Sequence, residues 1–234
     1  IFSGKIPWID KLKRMKLIVT GASGMVGKGV LLECLDHKDV SEVLSIGRKS
    51  LSINHPKLKE LIHKDFSEFD SVVGQLKGYD ACYHCMGVSA ASFNKEDYFK
   101  MTHGYSMALA NTMLKVNPES TFTYVSWQGT DSKEKGKGWA AVKGKTENDI
   151  LKLGFKQAFA FRPGVIIPLK GIEPSSKLYK TLIKNLGWFI KVIKKLSPNS
   201  VVNTTQIGLA MIHITQNGYH QNIINPKDML GLSE

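Results

Sequence analysis

The sequence has few cysteines, few acidic residues and no long apolar run. Its three cysteines, Cys34, Cys82 and Cys85, form no secretory pattern, which excludes a disulfide framework and favours a reducing compartment. No stretch of about 20 apolar residues exists, so we expect no membrane span. Residues 1–14 lack the apolar centre of a signal peptide, and Met15 resembles a natural start. We therefore expect a cytoplasmic protein in which residues 1–14 are an N-terminal extension.

Acidic residues are outnumbered by basic ones. The chain has 20 Asp plus Glu and 32 Lys plus Arg, which gives a formal net charge of +12. This balance favours anionic partners such as nucleotides, nucleic acid or an acidic membrane surface, without choosing among them. With 234 residues, of which 42% are hydrophobic, the chain can bury a full core without metal or disulfide, and we expect one domain.

Strand and helix signals alternate along the chain. Strands are predicted at Lys16–Thr20, Glu42–Ile46, Leu58–His63, Tyr79–Cys85, Thr121–Ser126 and Ala158–Ile167. Helices are predicted at Met25–Asp36, Lys95–Lys115 and Ala140–Leu153. This βαβ alternation predicts an α/β fold, with a Rossmann-type doubly wound parallel sheet and helices on both faces.

The pattern changes after Pro168. Residues 169–200 contain seven lysines, and apolar residues recur there at helical spacing. The lysine-rich segment 177–195 fits an anionic membrane or nucleic acid. Its apolar stripe is more simply a face that packs on the sheet, so we expect no nucleic-acid partner.

A last helix is predicted between Thr204, as its cap, and Gly218, as its stop. Residues 15–168 are accordingly interpreted as a dinucleotide-binding core. Residues 169–234 are interpreted as a small helical cap subdomain that completes the same domain.

A glycine loop follows the first strand with the spacing G-x-x-G-x-x-G. Gly21 permits the tight turn, Gly24 lets the backbone approach a pyrophosphate, and Gly27 lets the helix pack on the sheet. The following helix N-terminus offers free amides to phosphate. A glycine-rich turn without a ligand is the alternative, but the strand–loop–helix context favours a dinucleotide site. The predicted contacts are Gly21, Ser23, Gly24, Met25, Val26 and Gly27.

The residues after the second strand favour NADP over NAD. An acid there would bind the ribose 2′-hydroxyl of NAD, but residues 46–50 contain none. Arg48 can pair with a 2′-phosphate, unless it is simply a solvated loop cation. After the third strand, Asp65 and Phe66 are predicted to lie at the adenine.

The end of the fourth strand is predicted to pass the cofactor ribose. Gly87 suits a close backbone approach at this point. The predicted contacts here are Cys85, Met86, Gly87 and Val88.

Several of these motifs together resemble one family. They are the glycine loop, Gly47-Arg48, Cys85-Met86-Gly87-Val88, Tyr124-Val125-Ser126 and Arg162-Pro163-Gly164. The chain resembles, over residues 15–215, the atypical short-chain dehydrogenase/reductases, which are NAD-dependent epimerase/dehydratase-like, and within them the HTATIP-interacting oxidoreductases. The resemblance implies a nicotinamide cofactor, with Pro163 among its contacts.

The resemblance also implies a catalytic Ser, Tyr and Lys, the last two in the pattern Y-x-x-x-K. The Ser corresponds to Ser126 and the Lys to Lys143, for which Lys137 and Lys145 compete. The Tyr position is Trp139. An indole is a donor that does not titrate usefully, so Trp139 cannot act as a general acid or base.

Other titratable residues are either candidates for the missing catalytic tyrosine or are interpreted as structural residues. Tyr105, Tyr124 and Tyr179 are candidate substitutes for the missing tyrosine. Cys82 and Cys85 lie within a predicted strand and are interpreted as core cysteines. The seven histidines show no metal-ligand spacing, and His103 is interpreted as a packing residue.

Two functions remain open at the level of sequence. The first is an NADP-dependent oxidoreductase acting on a small carbonyl or alcohol. The second is a non-catalytic NADP-binding regulator or redox sensor, which Trp139 favours. A nucleotide-sugar epimerase is a weaker third, because residues 169–234 are few for a sugar-nucleotide pocket. The expected partners are a small-molecule substrate and, in a homodimer, a second copy of the chain.

Overall fold

A seven-stranded parallel sheet forms the centre of the molecule. The computed structural model describes residues 14–173 and 200–234. The strands are β1 (Met15–Thr20), β2 (Val40–Gly47), β3 (Leu58–Ile62), β4 (Ala81–His84), β5 (Thr121–Val125), β6 (Gln157–Phe161), β7 (Val165–Ile167), β8 (Val201–Asn203) and β9 (Ile223–Ile224). The order in the main sheet is β3-β2-β1-β4-β5-β6-β9, all parallel, while β7 and β8 pair separately. The predicted Rossmann-type fold is confirmed.

Helices cover both faces of this sheet. They are α1 (Met25–Asp36), α2 (Lys95–Phe99), α3 (Tyr105–Val116), α4 (Trp139–Lys152), α5 (Thr204–Asn217) and α6 (Pro226–Leu232). A π-helical turn, Lys100–Gly104, joins α2 to α3, and 3-10 helices occupy Asp70–Leu76 and Ala90–Ser92. The predicted bounds of α1 are confirmed. The helix predicted at Lys95–Lys115 consists of α2, the π-helical turn and α3, which follow each other without a break.

Side chains of β1 alternate between two hydrophobic cores. Leu17 and Val19 belong to the core that α1 and α5 cover, whereas Ile18 belongs to the core that α3 covers. Successive strand residues point to opposite faces, so both faces of the sheet centre are buried, and most side chains of β1, β4, β5 and β6 are buried. Because the faces are covered, the carboxyl ends of the strands are where a ligand can reach the sheet.

The single strand predicted at Ala158–Ile167 is wrong. The chain forms β6, leaves the main sheet at Arg162–Gly164, and enters the small sheet as β7. Pro163 has no amide hydrogen to donate to a ladder. The backbone at Gly164 lies so close to the carbonyl of Ser200 that a side chain would not fit. This break turns the chain towards the carboxyl edge of the sheet.

The start of α5 also differs from the prediction. Its N-cap is Asn203 rather than Thr204: Oδ1 of Asn203 accepts from the amide of Gln206 at 2.8 Å, and Oε1 of Gln206 accepts from the amide of Asn203 at 3.0 Å. The helix ends before Gly218, as predicted, where φ is +70°. The helices predicted within 177–195 lie outside the described residues.

Candidate functional site

The glycine loop between β1 and α1 is held by close backbone packing. Gly21 has φ of +72°, and a Cβ there would lie 2.6 Å from the carbonyl oxygen of Cys85. A Cβ on Gly27 would overlap the carbonyl of Gly21. The amide of Gly24 donates to that same carbonyl at 2.9 Å. Glycine at 21 and 27 is therefore required by the turn and by the approach of α1.

The first turn of α1 fits a phosphate group. Its N-cap is Gly24, which provides no side-chain cap, and no acidic residue lies in the first turn. The first amides of a helix lack intrahelical partners and lie at the positive end of its dipole. Since Gly24 to Val26 line a cavity, these amides face a space that an anion can enter. Ser23 is exposed beside them.

A cavity of about 530 Å³ lies at the carboxyl ends of β1, β4 and β5. Its lining residues are Gly24, Met25, Val26, Cys85, Met86, Gly87, Ser89, Val125, Ser126, Trp127, Lys143, Pro163 and Ile166. The structure thus brings together glycine-loop, fourth-strand and candidate catalytic residues. Four lining residues were not predicted as site residues: Ser89, Val125, Trp127 and Ile166. Val125 and Trp127 directly precede and follow Ser126, which is the one signal that the sequence offers.

A larger groove of about 820 Å³ lies at the opposite edge of the sheet. It runs past Met15, Asp80, Thr121 and Gln157, at the amino ends of strands. Ligands of parallel α/β sheets bind outside the carboxyl ends of the strands. The smaller cavity is therefore the candidate functional site.

The predicted adenosine contacts lie outside the lining of this cavity. Arg48 is exposed directly after β2. Asp65 is exposed, and hydrogen bonds from Ser67 lower the pKa of its carboxyl group. The side chain of Phe66 is buried against Phe69, so only its backbone can face a ligand.

An acid that sequence reasoning missed approaches the loop after β2 from β3. Glu60 accepts hydrogen bonds from the hydroxyl of Ser50 and the amide of Leu51, both at 2.7 Å. This carboxylate therefore shapes the loop that carries Arg48.

Ser126 and Lys143 meet at the cavity. Ser126 follows β5 and is buried, and its Oγ lies 2.7 Å from Oγ1 of Thr130. Lys143 is half-buried on α4, and its Nζ lies 5.4 Å from the ring centroid of Tyr124. Burial lowers the pKa of Lys143 to about 8. Its competitor Lys145 instead pairs with Asp149 at 2.9 Å.

Trp139 lies apart from this pair. It is the first residue of α4, it is 40% exposed, and it does not belong to the lining described above. A Cβ on Gly129 would lie 3.1 Å from Cη2 of Trp139 and 3.7 Å from Cδ1 of Trp127. Both indoles therefore pack against the loop that follows Ser126.

A buried histidine lies beneath the cavity. His84 Nδ1 is 2.7 Å from Oγ1 of Thr20, and its Nε2 is 2.9 Å from Oγ of Ser106. Ser106 donates to the carbonyl of Thr102 at 2.5 Å, so it must accept from Nε2–H, and Thr20 then donates to Nδ1. Burial lowers the pKa of His84 to about 3. A neutral His84 therefore ties the end of β1 to α3.

The two described candidates for the role of the family tyrosine, Tyr105 and Tyr124, do not line the cavity. Tyr124 is fully buried below Lys143, and burial raises the pKa of its phenol. Tyr105 packs beside Phe66, with ring centroids 6.3 Å apart. Tyr179 lies outside the described residues.

The cysteines divide into two environments. Cys34 and Cys82 are buried, whereas Cys85 is only partly buried and lines the cavity. Cys82 belongs to the core, as interpreted, and Cys85 packs against the core while also lining the cavity. Burial raises the pKa of the Cys85 thiol to about 12. His103 packs, as interpreted, by stacking on Phe99 and pairing with Asp149 at 2.7 Å. Within residues 14–173 and 200–234, no cluster of His, Cys, Asp or Glu could hold a metal ion.

A family model confirms what these features indicate. Residues 17–132 match the NAD dependent epimerase/dehydratase family. The match covers slightly less than half of the chain, and over these residues the chain is similar to that family. The resemblance to the atypical short-chain dehydrogenase/reductases is thereby confirmed, and with it a fold that binds a nicotinamide cofactor.

Curated relatives of the chain come from a mammal and from fungi. The Rattus norvegicus protein HTATIP2 is 26% identical over 159 residues, which are 67% of this chain and 65% of that protein. FMP52-1, mitochondrial, of Scheffersomyces stipitis is 25% identical over 212 residues, 89% of each chain. FMP52, mitochondrial, of Saccharomyces cerevisiae is 26% identical and covers 70% of this chain and 69% of that protein. The chain thus spans slightly less than two thirds of the rat relative.

Solved structures of low identity share the fold. A short chain dehydrogenase family protein of Francisella tularensis superposes with a TM-score of 0.61 at 16% identity, covering 90% of this chain and 96% of that one. The Bordetella bronchiseptica enzyme WbmF, in complex with NAD+, superposes with a TM-score of 0.66 at 11% identity, covering 94% and 78%.

The expected cytoplasmic location is wrong. The fungal relatives are named as mitochondrial proteins. Few cysteines and the absence of a secretory pattern indicate a reducing compartment, but they do not distinguish the cytoplasm from the inside of an organelle. No helix among the described residues is long and apolar enough to span a bilayer.

Proposed function

We propose that the protein is an NADP(H)-dependent oxidoreductase that interconverts a small carbonyl compound and its alcohol. The observation that carries this proposal is a single cavity that Ser126 and Lys143 share with the first turn of α1. A phosphate site, a hydroxyl and an amine in one cleft are the groups that dinucleotide-dependent carbonyl chemistry requires.

The residues of the cleft divide this work. The first amides of α1, from Gly24 to Val26, would hold the pyrophosphate. The nicotinamide supplies or accepts the hydride when bound. Ser126, buried and hydrogen-bonded to Thr130, would donate a hydrogen bond to the substrate oxygen. The charge of Lys143 stabilises negative charge that develops on that oxygen.

The substrate side of the cleft is mainly apolar. Trp127, Pro163 and Ile166 line the cavity beside the hydroxyl of Ser126. A pocket with apolar walls and a few convergent polar groups favours a small, largely apolar substrate. This supports an uncharged carbonyl or alcohol over a sugar nucleotide.

Arg48→Ala tests the choice of cofactor. We expect the variant to bind NADPH about 10- to 100-fold more weakly, because charge-assisted bonds to the 2′-phosphate are worth about 1.5–3 kcal/mol. NADH binding should not change. Calorimetry on the parent, on Arg48→Ala and on the neighbouring control Lys49→Ala makes the comparison. Equal binding of NADPH and NADH by the parent would show that the NADP preference is wrong.

The second candidate function is a non-catalytic NADP-binding regulator or redox sensor. The observation that favours it is Trp139, which occupies the tyrosine position without titrating and lies outside the cavity lining. Such a protein would keep the phosphate site at α1 while lacking a proton donor at the family position.

Turnover separates the two functions. We expect the parent to oxidise NADPH in the presence of at least one member of a panel of small aldehydes and ketones, followed spectrophotometrically. Tight NADPH binding without turnover on the whole panel contradicts the oxidoreductase and supports the regulator. Failure to bind either cofactor contradicts both functions.

Three further features belong to the proposal. The dinucleotide site lies in a core of residues 15–168, with 169–234 completing the domain as a cap and 1–14 preceding it. The names of the fungal relatives support a mitochondrial location. The assembly is a homodimer, which sedimentation measurements would test.

A further inference from the structure

The cavity contains few groups that can donate a proton. Of the described residues that line it, Cys85 and Lys143 carry titratable side chains. Cys85 follows β4, and its carbonyl packs against Gly21 of the glycine loop, on the phosphate side of the cleft. Lys143 lies on α4 and lines the cavity together with Ser126, on the substrate side.

The neighbouring tyrosines lie outside the cavity, and the neighbouring histidine is hydrogen-bonded through both ring nitrogens. The rings of Tyr98 and Tyr124 are buried and lie outside the cavity lining. His84 uses both ring nitrogens, for Thr20 and Ser106, and carries no proton that it can release to a ligand. The proton that the family tyrosine would supply must therefore come from another group.

The surroundings of Lys143 leave its protons available to the cavity. On its own helix the nearest charge is Glu147, which Arg162 binds through Nε at 3.0 Å and 3.1 Å. From β5 it faces the ring of Tyr124, and from β4, behind that ring, the neutral His84. Within the described residues no hydrogen-bond acceptor holds Nζ of Lys143.

We propose that Lys143 is itself the general acid and base of the reaction, in place of the tyrosine that Trp139 replaces. This inference rests on the proposed oxidoreductase function. In the reductive direction the substrate carbonyl carbon receives hydride from the reduced nicotinamide, which becomes oxidised. The carbonyl oxygen takes one proton from the Nζ ammonium and becomes the alcohol hydroxyl. Lys143 is left as a neutral amine and regains a proton from water; oxidation reverses each step.

The acidity of the ammonium suits this role. Burial lowers the pKa of Lys143 to about 8, while Glu147 opposes that shift. A general acid is most effective when its pKa lies near the working pH. Reduction requires the protonated amine, so it should decline as the pH rises above about 8, and alcohol oxidation should increase over the same range.

Lys143→Arg separates proton donation from charge. Arginine keeps the positive charge and the hydrogen-bond donors, but its guanidinium does not release a proton in this pH range. We expect NADPH affinity to stay within a few-fold of the parent, while turnover falls by a factor of about 10²–10⁴. The matched control is Lys145→Arg, on the same helix but paired with Asp149, whose turnover should equal that of the parent.

A titration of the cofactor-free protein gives a readout that does not depend on activity. Lysines are dimethylated with ¹³C-formaldehyde, and the signal missing from Lys143→Arg identifies Lys143 in the carbon–proton spectrum. We expect that signal to titrate well below those of the other lysines, and the Lys145 signal to titrate above its usual range because of Asp149. An ordinary lysine titration at position 143 would overturn the inference.

The pH profile distinguishes failure of this inference from failure of the function. Turnover by the parent with a flat profile between about pH 7 and 10, or full turnover by Lys143→Arg, would leave the oxidoreductase intact and remove Lys143 as the acid. No turnover by an NADPH-bound parent would overturn the function and this inference together.

Discussion

Arg162→Leu is expected to lower the free energy of unfolding by about 3–5 kcal/mol, the usual cost of leaving one member of a buried ion pair without its partner. The side chain of Glu147 is fully buried and that of Arg162 is 14% exposed. Arg162 binds both carboxylate oxygens of Glu147 and also donates to Ser132. The substitution therefore leaves a buried carboxylate without its paired guanidinium and removes the side-chain link from the end of β6 to α4 and to the loop after β5. Urea denaturation at neutral pH measures the change.

Two further variants test whether the loss of stability comes from the unpaired carboxylate of Glu147. The double variant Glu147→Leu/Arg162→Leu should recover most of the stability, because replacing a buried pair by apolar side chains is often neutral or better. Lys156→Leu removes one member of the exposed pair with Glu119 and should cause no measurable change. An Arg162→Leu variant as stable as the parent would show that Glu147 is protonated or reached by water.

The sequence predicts most of the sheet because its strands carry a local signal. β1, β2 and β5 are runs of five to eight residues that contain several β-branched or aromatic residues, and the glycine loop marks where α1 begins. β8 and β9 contain three and two residues, too few for any periodicity to be recognised. The break at Pro163 was missed because Phe161 and Val165 are both apolar, so the run reads as one strand although its halves belong to different sheets.

The sequence predicts those residues of the site that lie next to each other in one segment of the chain. Gly24 to Val26 follow each other, and the chemistry of a phosphate loop requires their spacing. Trp127 and Ile166 reach the same cavity from segments far apart in the chain, so only the fold shows that they are neighbours. His84 is similar, because its partners Thr20 and Ser106 are separated by most of the Rossmann core.

The position of Trp139 shows where a local rule is incomplete. The spacing of four residues predicts that Trp139 and Lys143 share a face of α4. The helix begins at Trp139, however, and the indole lies over Gly129 in the preceding loop. The Y-x-x-x-K spacing therefore predicts correctly that Lys143 lines the cavity. It does not predict the place of Trp139, which lies outside the lining.

Lys143→Met is expected to lower turnover strongly and to stabilise the fold at neutral pH. Turnover should fall by a factor of about 10²–10⁴, because the acid and its charge are both lost.

The stability of the variant should exceed that of the parent because burial lowers the pKa of Lys143 to about 8, so that folding of the parent below that pH buries a charge at a cost. An unfolded lysine has a pKa of about 10.4, so between the two values the unfolded chain holds a proton that the folded chain has lost. The parent's free energy of unfolding therefore rises with pH across this window, and the advantage of the variant should shrink by about pH 10. Urea denaturation of both proteins at about pH 7 and about pH 10 tests this, and a constant difference would show that Lys143 is solvated and that its place in the cavity has no cost to the fold.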